Sequence, residues 1–373
     1  MARVMTGRAG TSGRVLVVNA GSSSLKLSVL DESDELVERH EIDHWDDGDA
    51  SVLDDVAGGW EFDAVGHRVV HGGGEFTSAT VVDDPVRSQI EALTSLAPLH
   101  QPRSLAGIDA AREAFGDRPS VACFDTGFHA SLSAAASTYA VPVAWRERWP
   151  VRRFGFHGLS HAYAARRTAD LLGRSVEGLR VVTCHLGAGA SLCAVSDGRS
   201  VDTTMGFSPL EGLVMATRSG TIDPGLVLWL QREGGLGVDE VNDGLEHESG
   251  LKALAGTADQ AAVLSRADAG DEAAAAAVDV YMHRLVRELG SMVAVLGGVD
   301  ALTFTGGVGE NAAVIRERAV SALGFVGARL SAAANASPTL DALVHADTSR
   351  VAVAVVEARE DVEIAREVRQ ALG

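Results

Sequence analysis

The chain has 373 residues, 46% of them apolar, which predicts two domains with a core in each. Its 32 Lys and Arg against 51 Asp and Glu give a net charge of −19, which argues against nucleic acid or an anionic membrane surface as a partner. Cys123, Cys184 and Cys193 lie in or beside apolar runs, which indicates reduced, buried thiols in a cytoplasmic protein. We expect a disordered tail at residues 1–13, which are basic and Gly-rich, and no run is long enough to span a membrane.

The first predicted element is a strand–turn–strand over residues 15–31. An apolar run is broken by the small residues of Asn19–Ser24, and apolar and polar side chains then alternate. The small turn leaves its amides open to an anion, with Lys26 close behind for charge. An ordinary polar hairpin turn is the alternative.

Two charged residues follow, one on a predicted strand and one at the end of another. Arg68 lies on a strand, Ala64–Val70, that runs into Gly72–Gly74, and Asp125 ends the strand Ser120–Phe124. A carboxylate at a strand end is a usual metal ligand in an α/β cleft. A surface arginine and a helix-capping aspartate are the plainer alternatives.

Residues 181–197 repeat the pattern of the first hairpin. Gly21 aligns with Gly187 and Val29 with Val195, and in both segments a strand runs into a small-residue turn and emerges as a second strand. Two such loops, about half the chain apart, indicate a duplicated fold with a phosphate loop in each half. Two lobes with facing loops would form a cleft that grips a polyphosphate.

Helices are predicted between these segments. Ser160–Leu172 has Ser160 as N-cap, Asp223 caps a helix with Pro224 at its first position, and Asp271–Leu296 is a long Ala-rich helix that we interpret as a packing helix. His157 precedes the first of these helices in Phe-Gly-Phe-His-Gly, and Arg218 lies in the polar loop before the second. A core histidine and a surface arginine are the alternatives.

A third glycine loop, Gly306–Asn311, follows the strand Ala301–Thr305 and precedes a helix, Ala312–Leu323, with Asn311 as its predicted N-cap. This setting favours phosphate at a helix N-terminus. An amphipathic helix, Glu360–Leu372, ends the chain. The alternation of strands and helices predicts an α/β protein with mixed sheets in two lobes. Arginines, a histidine and a carboxylate among three glycine loops suit phosphoryl transfer.

These segments resemble the acetate kinase family, within the acetate and sugar kinase, Hsp70 and actin superfamily. The matching motifs, in the family's order, are NAGSSSLK (19–26), GHRVVHGG (66–73), APLH (97–100), FDTGFH (124–129), FGFHGLSH (154–161), HLGAGAS (185–191), DTTMGFSPLEGL (202–213), TRSGTIDPG (217–225) and FTGGVGEN (304–311). The resemblance implies two duplicated ribonuclease H-like (actin-like ATPase) lobes with mixed sheets and a cleft between them. It implies lobes at 14–150, joined by the C-terminal helix 357–373, and at 151–356, which would bind the nucleotide.

The implied reaction is the reversible, Mg²⁺-dependent transfer of a phosphoryl group between ATP and acetate, giving acetyl phosphate and ADP; Mn²⁺ would serve in place of Mg²⁺. Arg68 and Arg218 would hold the carboxylate and the phosphoryl group, and His157 would bond the phosphoryl group. His100 and Asn19 would support it. Asn19, Asp125 and Glu360 are the implied metal site. The methyl pocket would comprise Val70, Leu99, Phe156 and Pro209.

Eleven residues are implied to bind the nucleotide and its phosphates: Ser22, Ser24, Lys26, His185, Gly187, Ala188, Gly189, Asp259, Gly307, Gly309 and Asn311. The segment 256–261 lacks the aromatic residue and the arginine that usually pack on adenosine, and Ala188 replaces the family's usual asparagine. Near Glu360, the family's usual Thr-Asn-Glu-Glu reads Ala358-Arg359-Glu360-Asp361. We therefore predict a raised KM for ATP and weak selection among ATP, GTP and ITP, with pyrophosphate as the alternative donor.

Three hypotheses remain at this point: an acetate kinase, the same transfer with propionate or pyrophosphate, and a non-catalytic nucleotide-binding relative. An acyl site retained at Arg68, His157 and Arg218 speaks against the third. The resemblance also implies an isologous homodimer.

Overall fold

The chain passes from one folded unit to a second after Gly127 and returns to the first at Arg359. This division is seen in a computed structural model that describes residues 13–21, 24–43, 45 and 49–373. The first unit holds the described residues up to Gly127 together with Arg359–Gly373, and the second is Phe128–Ala358. Residues 1–12 of the expected tail lie outside the described residues.

The first unit is built on a mixed sheet. Its strands, in the described part of the unit, are β1 (Val15–Ala20), β2 (Ser24–Leu30), β3 (Leu36–Asp43), β4 (Ala64–Val69), β5 (Thr80–Val81) and β6 (Ser120–Phe124). Their order across the sheet is β3-β2-β1-β4-β6-β5. Strands β1 to β3 form an antiparallel meander, β1, β4 and β6 run parallel, and β5 pairs antiparallel with β6.

The second unit repeats this sheet. Its strands are β7 (Arg180–Leu186), β8 (Ala190–Ser196), β9 (Arg199–Thr203), β10 (Ala301–Thr305), β11 (Ala342–Leu343) and β12 (Ala352–Val355). The order is β11-β12-β10-β7-β8-β9, so that each strand has the neighbours and directions of its counterpart six positions earlier. The prediction of an α/β fold with two duplicated mixed-sheet lobes is confirmed.

The helices in the described residues are α1 (Ala50–Ala57), α2 (Asp84–Ala92), α3 (Gln101–Ala114), α4 (Ala134–Ser137), α5 (Val143–Arg148), α6 (Gly158–Leu171), α7 (Pro224–Arg232), α8 (Val238–His247), α9 (Gly250–Ala255), α10 (Gln260–Asp268), α11 (Glu272–Val295), α12 (Gly306–Asn311), α13 (Ala313–Ala322), α14 (Ala332–Ala336) and α15 (Glu360–Leu372). Helix α15 packs on β1, β4 and β6 of the first unit. Gly66 of β4 permits this, because a Cβ there would lie 2.6 Å from Ile364 Cγ2 and 2.7 Å from Val368 Cγ2. The close packing places Glu360, the first residue of α15, near the sheet.

Two helix starts differ from the sequence prediction. Asp223 caps α7 as predicted, and Asp271, the first residue of the long predicted helix, is the N-cap of α11. Ser160 is not the N-cap of α6, because that helix begins at Gly158 and its cap is His157. Asn311 is not the N-cap of α13: the residues Gly306–Asn311 themselves form α12 directly after β10, and the Asn311 side chain donates to the Gly307 carbonyl.

The three cysteines, Cys123, Cys184 and Cys193, are free and buried, as predicted. Burial is the main cause that raises the pKa of each thiol. Within the described ranges, the helices are all too short or too polar to cross a bilayer.

A buried arginine donates hydrogen bonds to the backbone of the third glycine loop. Arg316 of α13 is 0% exposed and donates to the carbonyls of Gly309 and Glu310 at 2.9 and 2.8 Å. It also bonds the side chain and the carbonyl of Asn335 at 2.8 and 2.7 Å. The guanidinium thus satisfies carbonyls at the end of α12 that the helix cannot pair itself.

Replacing this guanidinium should destabilise the second unit. Arg316→Met leaves buried carbonyls unpaired and should lower the free energy of unfolding by roughly 3 kcal/mol. Arg318→Met is the matched control on the same helix, since Arg318 is exposed and pairs with Asp279; it should lower the value by at most about 1 kcal/mol. Urea unfolding measures both, and equal effects would contradict the role given to Arg316.

Candidate active site

The first unit brings Arg68 and Asp125 together because their strands are neighbours. Parallel strands β4 and β6 align Arg68 with Cys123, and Asp125 follows directly after β6. Arg68 Nε donates to Asp125 Oδ1 at 3.0 Å and Nη2 donates to Oδ2 at 2.7 Å, a bidentate ion pair. The Asp125 side chain is 2% exposed and that of Arg68 is 20% exposed.

Glu360 and Asn19 complete this cluster. Glu360 Oε2 lies 3.5 Å from Arg68 Nε and accepts a hydrogen bond from Asn19 Nδ2 at 3.4 Å. Burial raises the pKa of Glu360; Arg68 works against this, whereas the charge on Asp125 adds to it. One guanidinium therefore lies within ion-pair distance of two carboxylates. The connected group comprises Arg68, Asp125, Glu360 and Asn19.

The chemistry of this group suits a hard divalent cation. Mg²⁺ keeps several waters and binds proteins through one or two carboxylates together with substrate phosphates. Asp125, Glu360 and the Asn19 amide offer oxygen atoms of that kind, and a cation would favour the ionised form of Glu360. In the described part of the chain, no cluster of three or more His, Cys, Asp or Glu residues could hold a metal ion by itself.

The other predicted residues of the first unit are more dispersed. Val70 and His100 are half-buried, and Leu99 is 47% exposed. Ser24 donates to Glu41 at 2.8 Å, and Lys26 lies 3.6 Å from the same carboxylate. Ser22 lies outside the described residues.

In the second unit, the backbone forces His157 into an unusual position. His157 has φ 56°, in the left-handed region that non-glycine residues seldom adopt, and such outliers cluster at functional sites. Gly155, with φ 75°, precedes it; a Cβ there would lie 2.6 Å from the His129 ring. The segment 155–157 therefore turns sharply into α6.

His157 and Arg218 approach the same glycine. A Cβ built on Gly189 would lie 3.4 Å from His157 Nε2 and 3.8 Å from Arg218 Nη1. Only a residue without a side chain leaves this space between the imidazole and the guanidinium. Arg218 is oriented by Glu246 of α8, which accepts from its Nε at 2.7 Å.

A cavity of about 300 Å³ begins at the same loop. Its lining residues are Gly187, Ala188, Ala216, Leu251, Ala258, Asp259, Gln260, Ala261, Tyr281, Gly307 and Val308. Four of the predicted nucleotide residues thus line the same cavity: Gly187, Ala188, Asp259 and Gly307. Gly189, which follows Ala188 directly, lies beside His157 and Arg218.

The remaining predicted residues of this unit do not line the cavity. His185 stacks on His157 with ring centroids 4.3 Å apart and bonds Ser160 at 2.7 Å. Gly309 is buried, Phe156 is 1% exposed, and Pro209 is half-buried.

Two polar residues that line the cavity were not among the predicted nucleotide residues. Gln260 is 8% exposed and Tyr281 is 3% exposed, and Gln260 Nε2 and Tyr281 OH have no hydrogen-bond partner among the described residues. Tyr281 brings an aromatic side chain to this cavity, whereas the segment 256–261 has none. It is the one Phe, Tyr or Trp in the sequence of α11, and this is the feature by which the sequence could have marked it.

Known proteins resemble this chain closely. The profile of the Acetokinase family matches residues 50–366. The acetate kinase of Leifsonia xyli subsp. xyli is 45% identical, over 96% of this chain and 98% of the relative. The crystal structure of Porphyromonas gingivalis acetate kinase superposes with a TM-score of 0.88 at 32% identity, over 96% of this chain and 100% of that one.

A propionate kinase from Francisella tularensis subsp. tularensis SCHU S4 is similar to the same degree, with a TM-score of 0.87 at 32% identity over 95% of this chain and 98% of that one. The family profile covers most of the chain, and the acetate kinase relative spans nearly all of it. The chain therefore belongs to the acetokinase family.

Proposed function

We propose that this protein catalyses the reversible transfer of a phosphoryl group between ATP and acetate, giving ADP and acetyl phosphate. One observation carries the proposal: Gly187 and Ala188 line a cavity, and the next residue, Gly189, lies between His157 and Arg218. A nucleotide whose base occupies this cavity would extend its phosphates along the loop toward an imidazole and a guanidinium. Family membership supports the same reaction.

The chemistry needs little from the protein beyond charge and position. Acetate is ionised at neutral pH, so that its oxygen attacks the γ-phosphorus without a base. The new bond joins carboxylate oxygen to phosphorus, while the bond from phosphorus to the bridging oxygen of ADP breaks, in line. Arg218 and His157 would stabilise the charge on the equatorial oxygens, because such transfer depends on electrostatics.

The first unit would supply the acceptor and metal groups. Asp125 accepts hydrogen bonds from Nε and Nη2 of Arg68, and Nη1 of the same guanidinium would bind the substrate. Asn19 and His100 would support the phosphoryl group, and Val70 and Leu99 would contribute to the pocket for the methyl group. One more methylene changes selectivity by only about 1–3 kcal/mol, so that propionate should also react.

Asn19, Asp125 and Glu360 would hold Mg²⁺. When bound, the ion would neutralise charge on the phosphate oxygens. The protein's own part is to hold both carboxylates beside Arg68, where burial opposes the charge on the guanidinium but the two carboxylates raise its pKa.

We also propose a homodimer in the cytoplasm. Helix α7 has no buried residue, and its Leu226, Leu228 and Trp229 are 45%, 49% and 57% exposed. A helix so apolar and so exposed suits a contact between copies of the chain. The three free, buried cysteines support a reducing compartment.

Trapping acyl phosphate as its hydroxamate tests the proposed reaction. The purified protein should form acetyl hydroxamate from acetate with ATP, and less propionyl hydroxamate from propionate. Product with pyrophosphate and none with any nucleotide would favour the alternative donor. Nucleotide binding without product from either donor would favour the non-catalytic alternative.

Loss of the Arg218 guanidinium should reduce turnover. Arg218→Ala removes charge that opposes the moving phosphoryl group, so that kcat should fall by roughly 100-fold or more. Arg218→Lys should restore little, because an ammonium cannot reproduce the planar fork. Steady-state kinetics measures both, with the exposed Arg318→Ala on α13 as a control. A near-normal kcat in folded Arg218→Ala would remove Arg218 from the site.

Loss of the Asp125 carboxylate should weaken metal dependence. Asp125→Asn keeps the size of the side chain and removes its charge, so that the Mg²⁺ concentration for half-maximal activity should rise and kcat should fall by roughly 100-fold. A Mg²⁺ titration of activity measures this. An unchanged titration curve would mean that Asp125 serves only to orient Arg68.

Filling the cavity should weaken the binding of ATP. Ala261→Trp places a large ring in the cavity wall and should raise the KM for ATP by roughly tenfold, with kcat little changed, because the base binds ground and transition states alike. Ala269→Trp, exposed at the other end of α10, is the matched control. An unchanged KM for ATP would place the base elsewhere.

A further inference from the structure

A chain of hydrogen bonds runs behind His157 through the core of the second unit. His157 Nδ1 lies 2.9 Å from Ser191 Oγ, and the same oxygen lies 2.8 Å from His161 Nε2. His161 Nδ1 lies 2.7 Å from Thr183 Oγ1, which in turn donates to the Cys193 carbonyl at 3.4 Å. Ser191, His161 and Thr183 are each 0% exposed, so that no bulk water competes for these bonds.

The direction of the chain is set at its buried end. A carbonyl oxygen can only accept, so the Thr183 hydroxyl proton points to Cys193 and its oxygen accepts from His161 Nδ1–H. Burial lowers the pKa of His161 well below its usual range, and His129 and His185 add to this, so His161 is neutral with one N–H. Its Nε2 is therefore an acceptor and takes the Ser191 hydroxyl proton.

The remaining bond follows from the others. Since the Ser191 proton goes to His161, Ser191 Oγ can only accept from His157, and His157 Nδ1 must carry a proton. In the opposite arrangement, Thr183 would donate to His161 and Ser191 would donate to His157. The hydrogen bond from Thr183 to the Cys193 carbonyl would then be lost. A buried network favours the direction that satisfies more of its groups.

We propose that His161, acting through Ser191, is a positioning residue that fixes the proton of His157 on Nδ1, so that His157 donates to the phosphoryl group through Nε2 only as the imidazolium. This deepens, and rests on, the role proposed above for His157. In a neutral His157 protonated on Nδ1, Nε2 carries a lone pair and no proton. This lone pair would repel the negatively charged phosphate oxygen. Transfer should therefore slow as pH rises and His157 loses its second proton.

Several charged and titratable groups of the second unit surround His157. His185 stacks on it at 4.3 Å and His161 lies at 6.5 Å between ring centroids. Arg218 Nη1 borders the same Gly189, and Glu246 partly balances that charge through its bond to Arg218 Nε. Phosphate bound at Gly189 would favour the imidazolium.

Long-range ¹H–¹⁵N correlation NMR of histidine-labelled protein tests the proton position without catalysis, with His157→Gln to assign the signals. Neutral His157 should show a protonated Nδ1 and a bare Nε2. Ser191→Ala should abolish that preference. Ser200→Ala is the matched control, because Ser200 is equally buried and its hydroxyl bonds a different histidine, His129, at 2.8 Å. A protonated Nε2 in the wild type would overturn the proposal.

The pH dependence of kcat tests the consequence. Ser191→Ala should lower kcat by about 10- to 100-fold, as is typical for partners behind a reacting group, with the KM for acetate little changed. The alkaline fall of kcat should flatten, because His157 is then free to carry its single proton on Nε2. An unchanged kcat and profile in Ser191→Ala would overturn the positioning role.

Two substitutions of His161 separate positioning from packing. In His161→Gln the amide reaches the place of Nε2 and can accept from Ser191, whereas in His161→Asn it reaches only the place of Nδ1. Glutamine should keep the NMR pattern and the alkaline limb, and asparagine should lose both; equal behaviour would overturn the proposal. If the wild type makes no acyl phosphate, the proposed function fails, while the NMR experiment still decides the proton position.

Discussion

The close approach of His157 and Arg218 to Gly189 is the constraint on which the second unit depends. The approach combines a glycine at 189, where a Cβ would contact both side chains, with a left-handed backbone at His157 and a loop at 215–221 held by α8 and α9. Backbone bonds from Met215 to Arg218 and from Leu251 to Met215 fix that loop. Gly250, with φ 64°, lets α9 begin there, since a Cβ would lie 2.2 Å from the Met215 carbonyl. Strain and glycine are thus concentrated where phosphate would bind.

The first unit meets a different requirement, which is to hold two carboxylates largely out of contact with water beside a positive charge. Asp125 and Glu360 are both largely buried, and Arg68 is their shared counter-charge. Two carboxylates around one guanidinium leave an excess of negative charge, which suits a cation. The duplicated sheets therefore carry different chemistry: the first presents acidic groups at its strand ends, whereas the second presents glycine loops, an imidazole and a guanidinium.

Much of this was predictable from the sequence because the relevant signals are local. The hairpins at 15–31 and 181–197 revealed the duplication, and the motifs around Arg68 and Asp125 marked both residues as candidates for the site. Contacts between distant segments were not predictable: Glu246 orients Arg218 across 28 residues, and Tyr281 reaches the cavity from a helix that we had interpreted as a packing helix. The helix start at Ser160 was wrong because α6 already begins at Gly158, directly after the turn at His157. The start at Asn311 was wrong because Gly306–Asn311 form a helix of their own, so that α13 begins only at Ala313.

The central claim is that His157 assists a direct transfer and never carries the phosphoryl group itself. The most direct test is the stereochemistry of transfer from ATP made chiral at its γ-phosphorus with oxygen isotopes. A single in-line displacement inverts the configuration at phosphorus, and the account predicts inversion in acetyl phosphate. Retention would require two displacements and a phosphorylated enzyme, with a nucleophile such as His157 Nε2, and would contradict the role assigned to this histidine.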